Sequence, residues 1–302
     1  MSESRLLDPN TLARVSRMEL VARQAVEGFL SGKHPSPYYG SSVEYADHRP
    51  YTLGDEIRTI DWKLLAKTDK YYIKLFEEQT NLRCTILLDT SKSMGFAGNG
   101  QMSKLEYGSY LAAALAYLML RQNDAVGLAT FDSELRHYLP ARATASHFRH
   151  MVEVMESVKP RSNTRISQVL HPLAGRLRRR GLVMIISDLL DDPTETVNAL
   201  AHFRYRNHEV IVFHLIDDAE MEFPYERLTR FKDAEGTGMV VANPRVMRKR
   251  YLRRLNEFLD LMKHSCFERG ISYELAQTSR PYDQMLSAYL ERRGRIGRAL
   301  KV

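Results

Sequence analysis

The sequence predicts an α/β protein in which a mostly parallel sheet is covered by helices on both faces, with a small β-containing lobe at its N-terminal side. Three observations carry this. Cys84–Leu88, Leu182–Ile186 and Val210–Ile216 are short apolar runs containing β-branched residues, and Ile271–Ala276 reads as a fourth buried strand. Strands apolar throughout are those buried on both faces, as in parallel sheets. Amphipathic stretches separate these runs, which is the alternation of a helix-covered sheet. Finally, the first two runs end on acids, Asp89 and Asp188.

Taken in order, Leu12, Val15, Leu20, Val21, Ala25, Val26 and Phe29 recur at helical spacing between Leu6 and Leu30. Ser31-Gly-Lys-His-Pro35 stops that helix. Strand-like stretches follow at Val43–Tyr51 and Tyr71–Phe76. After Cys84–Leu88 comes a long apolar helix, Leu105–Arg121. Ala125–Phe131 and Leu135–Leu139 are separated only by Asp132-Ser-Glu134, a hairpin spacing that makes the second strand antiparallel at an edge. Phe148–Val158, Ile166–Arg180 and Thr194–Tyr205 read as helices, and Tyr282–Leu290 as a closing helix. An insertion at about 217–247 holds a hairpin, Leu228–Asp233 with Met239–Ala242, before a helix from Pro244 to about Arg269. The expected division is 1–82, the N-terminal helix and small lobe, and 83–302, the α/β domain.

With 302 residues, 44% hydrophobic and 27% charged, the composition is that of an ordinary globular protein. The longest apolar run, Leu111–Leu120, is too short to span a bilayer, and MSESRLLDPN lacks a signal pattern. The expected location is cytoplasmic, where Cys84 and Cys266 are isolated thiols rather than a disulfide. The net charge of +7 gathers at Arg176–Arg180, at Arg248–Arg254 and in the tail, without interleaved aromatics. Solvated faces account for these runs, and no nucleic-acid partner is expected. Arg176–Arg180 is expected to close a helix at its negative dipole end.

The candidate site is Asp89-Thr-Ser91-Lys-Ser93, directly after a buried strand. Ligands of open α/β sheets sit outside the carboxyl ends of the strands. A carboxylate and two hydroxyls at alternate positions of a turning loop can converge on a hard cation such as Mg2+. Asp188 ends a second buried strand at the same edge. Thr164 precedes a helix in Arg161-Ser-Asn-Thr-Arg165, where helix capping is its simplest role. His147, His150 and Glu153 share a helix face, but no further ligand accompanies them. Asp191-Asp192-Pro193 reads as a turn and helix cap.

Asp89-x-Ser91-x-Ser93, then Thr164 before a helix, then Asp188 after a strand, resembles the metal-ion-dependent adhesion site of von Willebrand factor A domains. The likeness extends to the bacterial family of domain of unknown function 58. It is carried by Arg49-Pro-Tyr, Gly54-Asp55, Arg58, Ile60-Asp61-Trp62, Leu87-Leu-Asp89 through Ser93-Met94, and Asp124-x-Val-Gly-Leu128, over roughly residues 40–290. The resemblance implies that Ser91 and Ser93 ligate Mg2+ or Mn2+ directly while Asp89 and Asp188 hold its waters. Thr164 would join in one conformational state, and a carboxylate from a protein partner would complete the shell. Asn163 precedes Thr164 where many such domains carry glycine, which bears on the backbone of that loop. The resemblance also implies a MoxR-type AAA+ ATPase as partner, in an adaptor or co-chaperone role.

For the Gly54–Trp62 block, two accounts stand: a docking surface, or packing in which Arg58 bridges Asp55 and Asp61 while Trp62 anchors the small lobe. The second is simpler. The rival functions are a Mg2+-dependent phosphohydrolase and a basic nucleic-acid binder. Position 91 is serine where an aspartyl phosphatase needs its second acid, and no GxxxxGK[ST], GxSxG or HExxH motif is present. No catalytic residue is assigned.

Overall fold

The computed structural model describes residues 9–31, 47–52, 60–75, 82–98, 102–161, 165–177, 179–232, 238–282, 284–287 and 289–290. Two units emerge: residues 33–81 form one, and α1 (Pro9–Ser31) belongs with everything from residue 82 onward. The smaller unit pairs β1 (Asp47–Pro50) with β2 (Tyr72–Leu75) antiparallel around α2 (Trp62–Thr68). Asp61 caps α2 by accepting from the Lys63 and Leu64 amides.

The main unit is built on six strands: β3 (Arg83–Asp89), β4 (Ala125–Phe131), β5 (Leu135–Arg142), β6 (Leu182–Ser187), β7 (Glu209–Ile216) and β10 (Ser272–Gln277). Their order is β10-β7-β6-β3-β4-β5, parallel except for β5 at the edge. Side-chain alternation divides the interior. Ile86, Leu88, Met184, Ile186 and Phe213 pack into one layer with α3 (Lys104–Arg121) and α4 (Ala145–Ser157). Leu87, Val183, Ile185 and Val212 pack into the other with α5 (Ile166–Arg176), α6 (Pro193–Tyr205) and α8 (Pro244–Glu268). Gly108 lets α3 approach the sheet: a Cβ there would stand 3.0 Å from Leu215 and 3.1 Å from Ile186.

Between β7 and α8 lie the short helix α7 (Asp218–Glu222) and a separate ribbon of β8 (Thr229–Lys232) and β9 (Met239–Ala242). Two expectations change. The first helix, expected to belong with the small lobe, packs on α3 and α4, burying Met18, Ala22 and Val26 while Leu20 faces solvent. Val21 and Ala25, also read from the sequence, pack partly buried beside them, as a helix face meeting an existing helix layer requires. Second, α5 ends at Arg176, so the rest of the arginine run lies beyond the helix. Pro172 removes one helical hydrogen bond near that end, and the chain must turn into β6. Trp62, which opens α2, is exposed. Gly54, Asp55 and Arg58 lie outside the described residues.

Candidate metal centre

Strand order positions the site. From β3 the chain crosses to β4 on one side, whereas β6, β7 and β10 build outward on the other. Connections leave the sheet in opposite directions at the β3/β6 boundary, opening a crevice at the carboxyl ends of those two strands. Asp89 ends β3 and Asp188 follows β6, so adjacent strands deliver both carboxylates to that crevice.

Asp89 is fully buried and both of its oxygens are engaged. Oδ1 accepts from the Ser91 amide at 2.8 Å, and Oδ2 accepts from Ser187 Oγ at 2.6 Å. Burial, reinforced by the nearby charge of Asp188, pushes its carboxyl up to about 7, against the lowering effect of the Ser187 and Ser91 hydrogen bonds. The Asp89–Ser91 turn leads into a short 3-10 helix, Lys92–Gly95. It leaves Ser91 Oγ and Ser93 Oγ 3.0 Å apart, both buried. Two adjacent oxygen ligands at about 2.1 Å from an octahedral Mg2+ stand about 3.0 Å apart. The hydroxyl pair therefore has the spacing of one octahedral edge, and the donor set fits a hard cation. Among the described residues no group of three or more His, Cys, Asp or Glu side chains has metal-binding geometry. Any ion here relies on hydroxyls.

Thr164 lies outside the described residues. On one side of it the Arg161 amide donates to Thr90 O at 2.9 Å, and on the other the Ile166 amide donates to Asp191 Oδ2 at 2.8 Å. Asp191 thus serves α5, while its neighbour Asp192 caps α6 through the Glu195 amide at 2.9 Å.

The feature sequence reasoning missed is Lys104. This first residue of α3 is 1% exposed, with Nζ 2.7 Å from Asp188 Oδ2 and 2.9 Å from Glu220 Oε1 on α7. Burial works against its charge, but Asp188 and Glu220 outweigh it and hold the ammonium above its ordinary range. Glu220 in turn accepts from the Asp217 amide in the capping box of α7, and Asp217 accepts from the Gly98 amide and Thr278 Oγ1, each at 3.3 Å. A lysine opening an apolar helix directly after a capping serine was the available signal. Lys104 and the Asp188 it pairs with are 84 positions apart, so no local pattern connects them.

Asp132 reaches the same sheet edge at the end of β4 and is buried, but Arg136 Nε grips its carboxylate at 2.8 and 2.9 Å. His147 is buried against Val126 O at 3.0 Å, whereas His150 is exposed and meets Glu153 at 3.3 Å, so they do not converge. Cys84 and Cys266 are free and buried; burial raises both thiols, Cys266 to about 11.

Comparison with known proteins places this architecture. Residues 47–257 match the model of the family described as protein of unknown function DUF58. The chain belongs to that family. It is 26% identical over 232 residues to an uncharacterized protein of Mycobacterium tuberculosis, Rv1480, covering 76% of this chain and 72% of that one. It is 25% identical over 168 residues to the uncharacterized protein YeaD of Bacillus subtilis, 55% of this chain and 39% of that one. Among solved structures, the conserved hypothetical protein BatB of Bacteroides thetaiotaomicron superposes with a TM-score of 0.50 at 18% identity, over 71% of this chain and 99% of that one. The fold of this family member is α/β and von Willebrand factor A-like, with a mostly parallel sheet between helical layers. No helix of the described residues is long and apolar enough to cross a membrane.

Proposed function

We propose that this protein is a non-enzymatic, metal-dependent protein-interaction module. In this reading Ser91 and Ser93 hold a Mg2+ or Mn2+ ion directly, Asp89 and Asp188 orient its water shell, and Thr164 joins conditionally. The observation that carries the reading is the buried hydroxyl pair 3.0 Å apart at the β3/β6 crevice, beside a carboxylate whose own oxygens are already engaged.

The bound ion would supply a Lewis-acidic position able to accept an oxygen from outside the chain. The residues do the rest. Ser91 and Ser93 offer neutral oxygens, which leave a dication largely uncompensated. Lys104 cancels much of the Asp188 charge, so the crevice favours an anionic group from a partner. The partner chemistry is an Asp or Glu carboxylate. On family resemblance the candidate is a MoxR-type AAA+ ATPase, with this chain as adaptor or co-chaperone in the cytoplasm.

The deciding experiment mixes the purified chain with such an ATPase, with and without chelator. The expected result is complex formation that disappears in chelator, returns with Mg2+ or Mn2+, and is lost in Ser91→Ala and Ser93→Ala. Full-strength binding in chelator would move the interface off the site. Phosphate-ester hydrolysis that vanishes in Asp89→Ala would replace this reading with an enzymatic one.

A further inference from the structure

A second surface, in the insertion, has no partner among the described residues. Strands β8 and β9 pair only with each other among the described residues. Met239, Val240 and Val241 of β9 are each 57% exposed, so both faces of this strand meet solvent. Leu228 before β8, and Val246 and Met247 at the start of α8, are exposed as well. Isolated two-stranded ribbons are marginal in water, and an apolar strand with an open edge is a template for another strand. Here the ribbon is held from beneath by aromatics: Phe223 packs on Phe231 of β8 at 5.5 Å and on Tyr251 of α8 at 4.6 Å. That support holds β9 ordered while its apolar side chains stay uncovered.

Charge selects the occupant. Residues 227–254 carry nine Lys and Arg against two Asp and Glu, and Arg245, Arg248 and Lys249 are exposed on the first turns of α8. A second copy would bring two such basic patches together. An acidic chain is complementary to that net basic charge. We propose that β9 and the first turns of α8 form a docking surface for an acidic polypeptide segment with interspersed apolar side chains. The segment adds to the open edge of β9 as a third strand, and its carboxylates face the α8 cations. This surface is independent of the metal reading: its contacts are main-chain, apolar and cationic, and none involves Ser91 or Ser93.

The test measures binding of labelled ten-residue peptides to the full chain. One alternates Glu with Val, and its counterpart alternates Lys with Val. The Glu–Val peptide should bind saturably, at least tenfold tighter than the Lys–Val peptide, and equally in chelator. Val240→Glu, and separately the pair Arg245→Glu with Arg248→Glu, should each weaken it tenfold or more while circular dichroism stays unchanged, since every substituted residue is exposed. Absent binding, or equal binding of both peptides, would overturn the proposal. Loss of binding in chelator would place the acidic contact at Ser91 and Ser93 instead. Capture by phosphatidylglycerol vesicles in place of the peptide would make the surface lipid-binding. A dimer that Val240→Glu dissolves would make it a self-interface.

Discussion

Strands β6 and β9 are built from the same residue types and meet opposite surroundings. In β6, Leu182-Val-Met-Ile-Ile-Ser187 lies between β3 and β7 with every side chain buried. In β9, Met239-Val-Val-Ala242 stands beside a single strand, and three of its four residues are open to solvent. Hydrophobicity drives burial only where a second apolar surface is available to cover it. The six-stranded sheet supplies two helical layers, and the ribbon supplies none. The difference separates a region whose apolar residues build the fold from one whose apolar residues stand in solvent.

The comparison breaks most severely if buried charge is removed from the interior. Lys104→Met leaves Asp188 and Glu220 without their counter-ion, and urea unfolding should report a loss of about 3–5 kcal/mol. Adding Asp188→Asn should recover part of it; no recovery would show that the lysine acts through packing alone. Next, Ile186→Ala opens a cavity against α3 and should cost about 2–5 kcal/mol.

Acid supplies a further probe of the interior. His214 on β7 is buried, with Nδ1 2.6 Å from the Tyr273 hydroxyl. Burial is the first cause that brings it down to about 4, with Lys104 adding to the effect and Asp188 opposing it. A folded pKa below the unfolded value of about 6.5 means that the unfolded chain binds the proton first. Stability is therefore full above about pH 6.5, falls as pH drops towards about 4, and levels off below that, a total of up to about 3 kcal/mol. In His214→Gln the difference from the parent chain should shrink across that window. A parallel pair of pH curves would refute the assignment.

At the site, Mg2+ at a hundred times its dissociation constant should raise stability by about 2.7 kcal/mol, and Ser91→Ala with Ser93→Ala should abolish that gain at little cost in fold. The smallest effect belongs to the ribbon. Val240→Ala should change stability by no more than about 0.5 kcal/mol, because the side chain is already in water. A loss comparable to that of Ile186→Ala would mean that β9 is covered within the chain, and the contrast between the two strands would fail.

Much of this was legible in the sequence because it is local. The apolar runs became β3, β6, β7 and β10, the short spacing after Phe131 became the antiparallel edge strand β5, and Asn243-Pro244 opened α8. Asp89, Ser91, Ser93 and Asp188 were readable as strand-end groups, and the structure brings the first three into one hydrogen-bonded turn with Asp188 just after the adjacent strand. The two short helices α2 and α7 were not legible, since seven and five residues are too few for an apolar period to stand out.

By itself the sequence determined which segments are strands, which helices cover them and which oxygens stand at strand ends, because these depend on side chains a few positions apart. Only the tertiary structure decided strand order, and with it the crevice between β3 and β6. It also decided that α1 joins the main unit, that Arg136 occupies Asp132, that Lys104 neutralises Asp188, and that β9 is left uncovered. Each of these depends on groups brought together by packing, and an apolar or charged side chain has no fixed environment until its neighbours across the fold are in place.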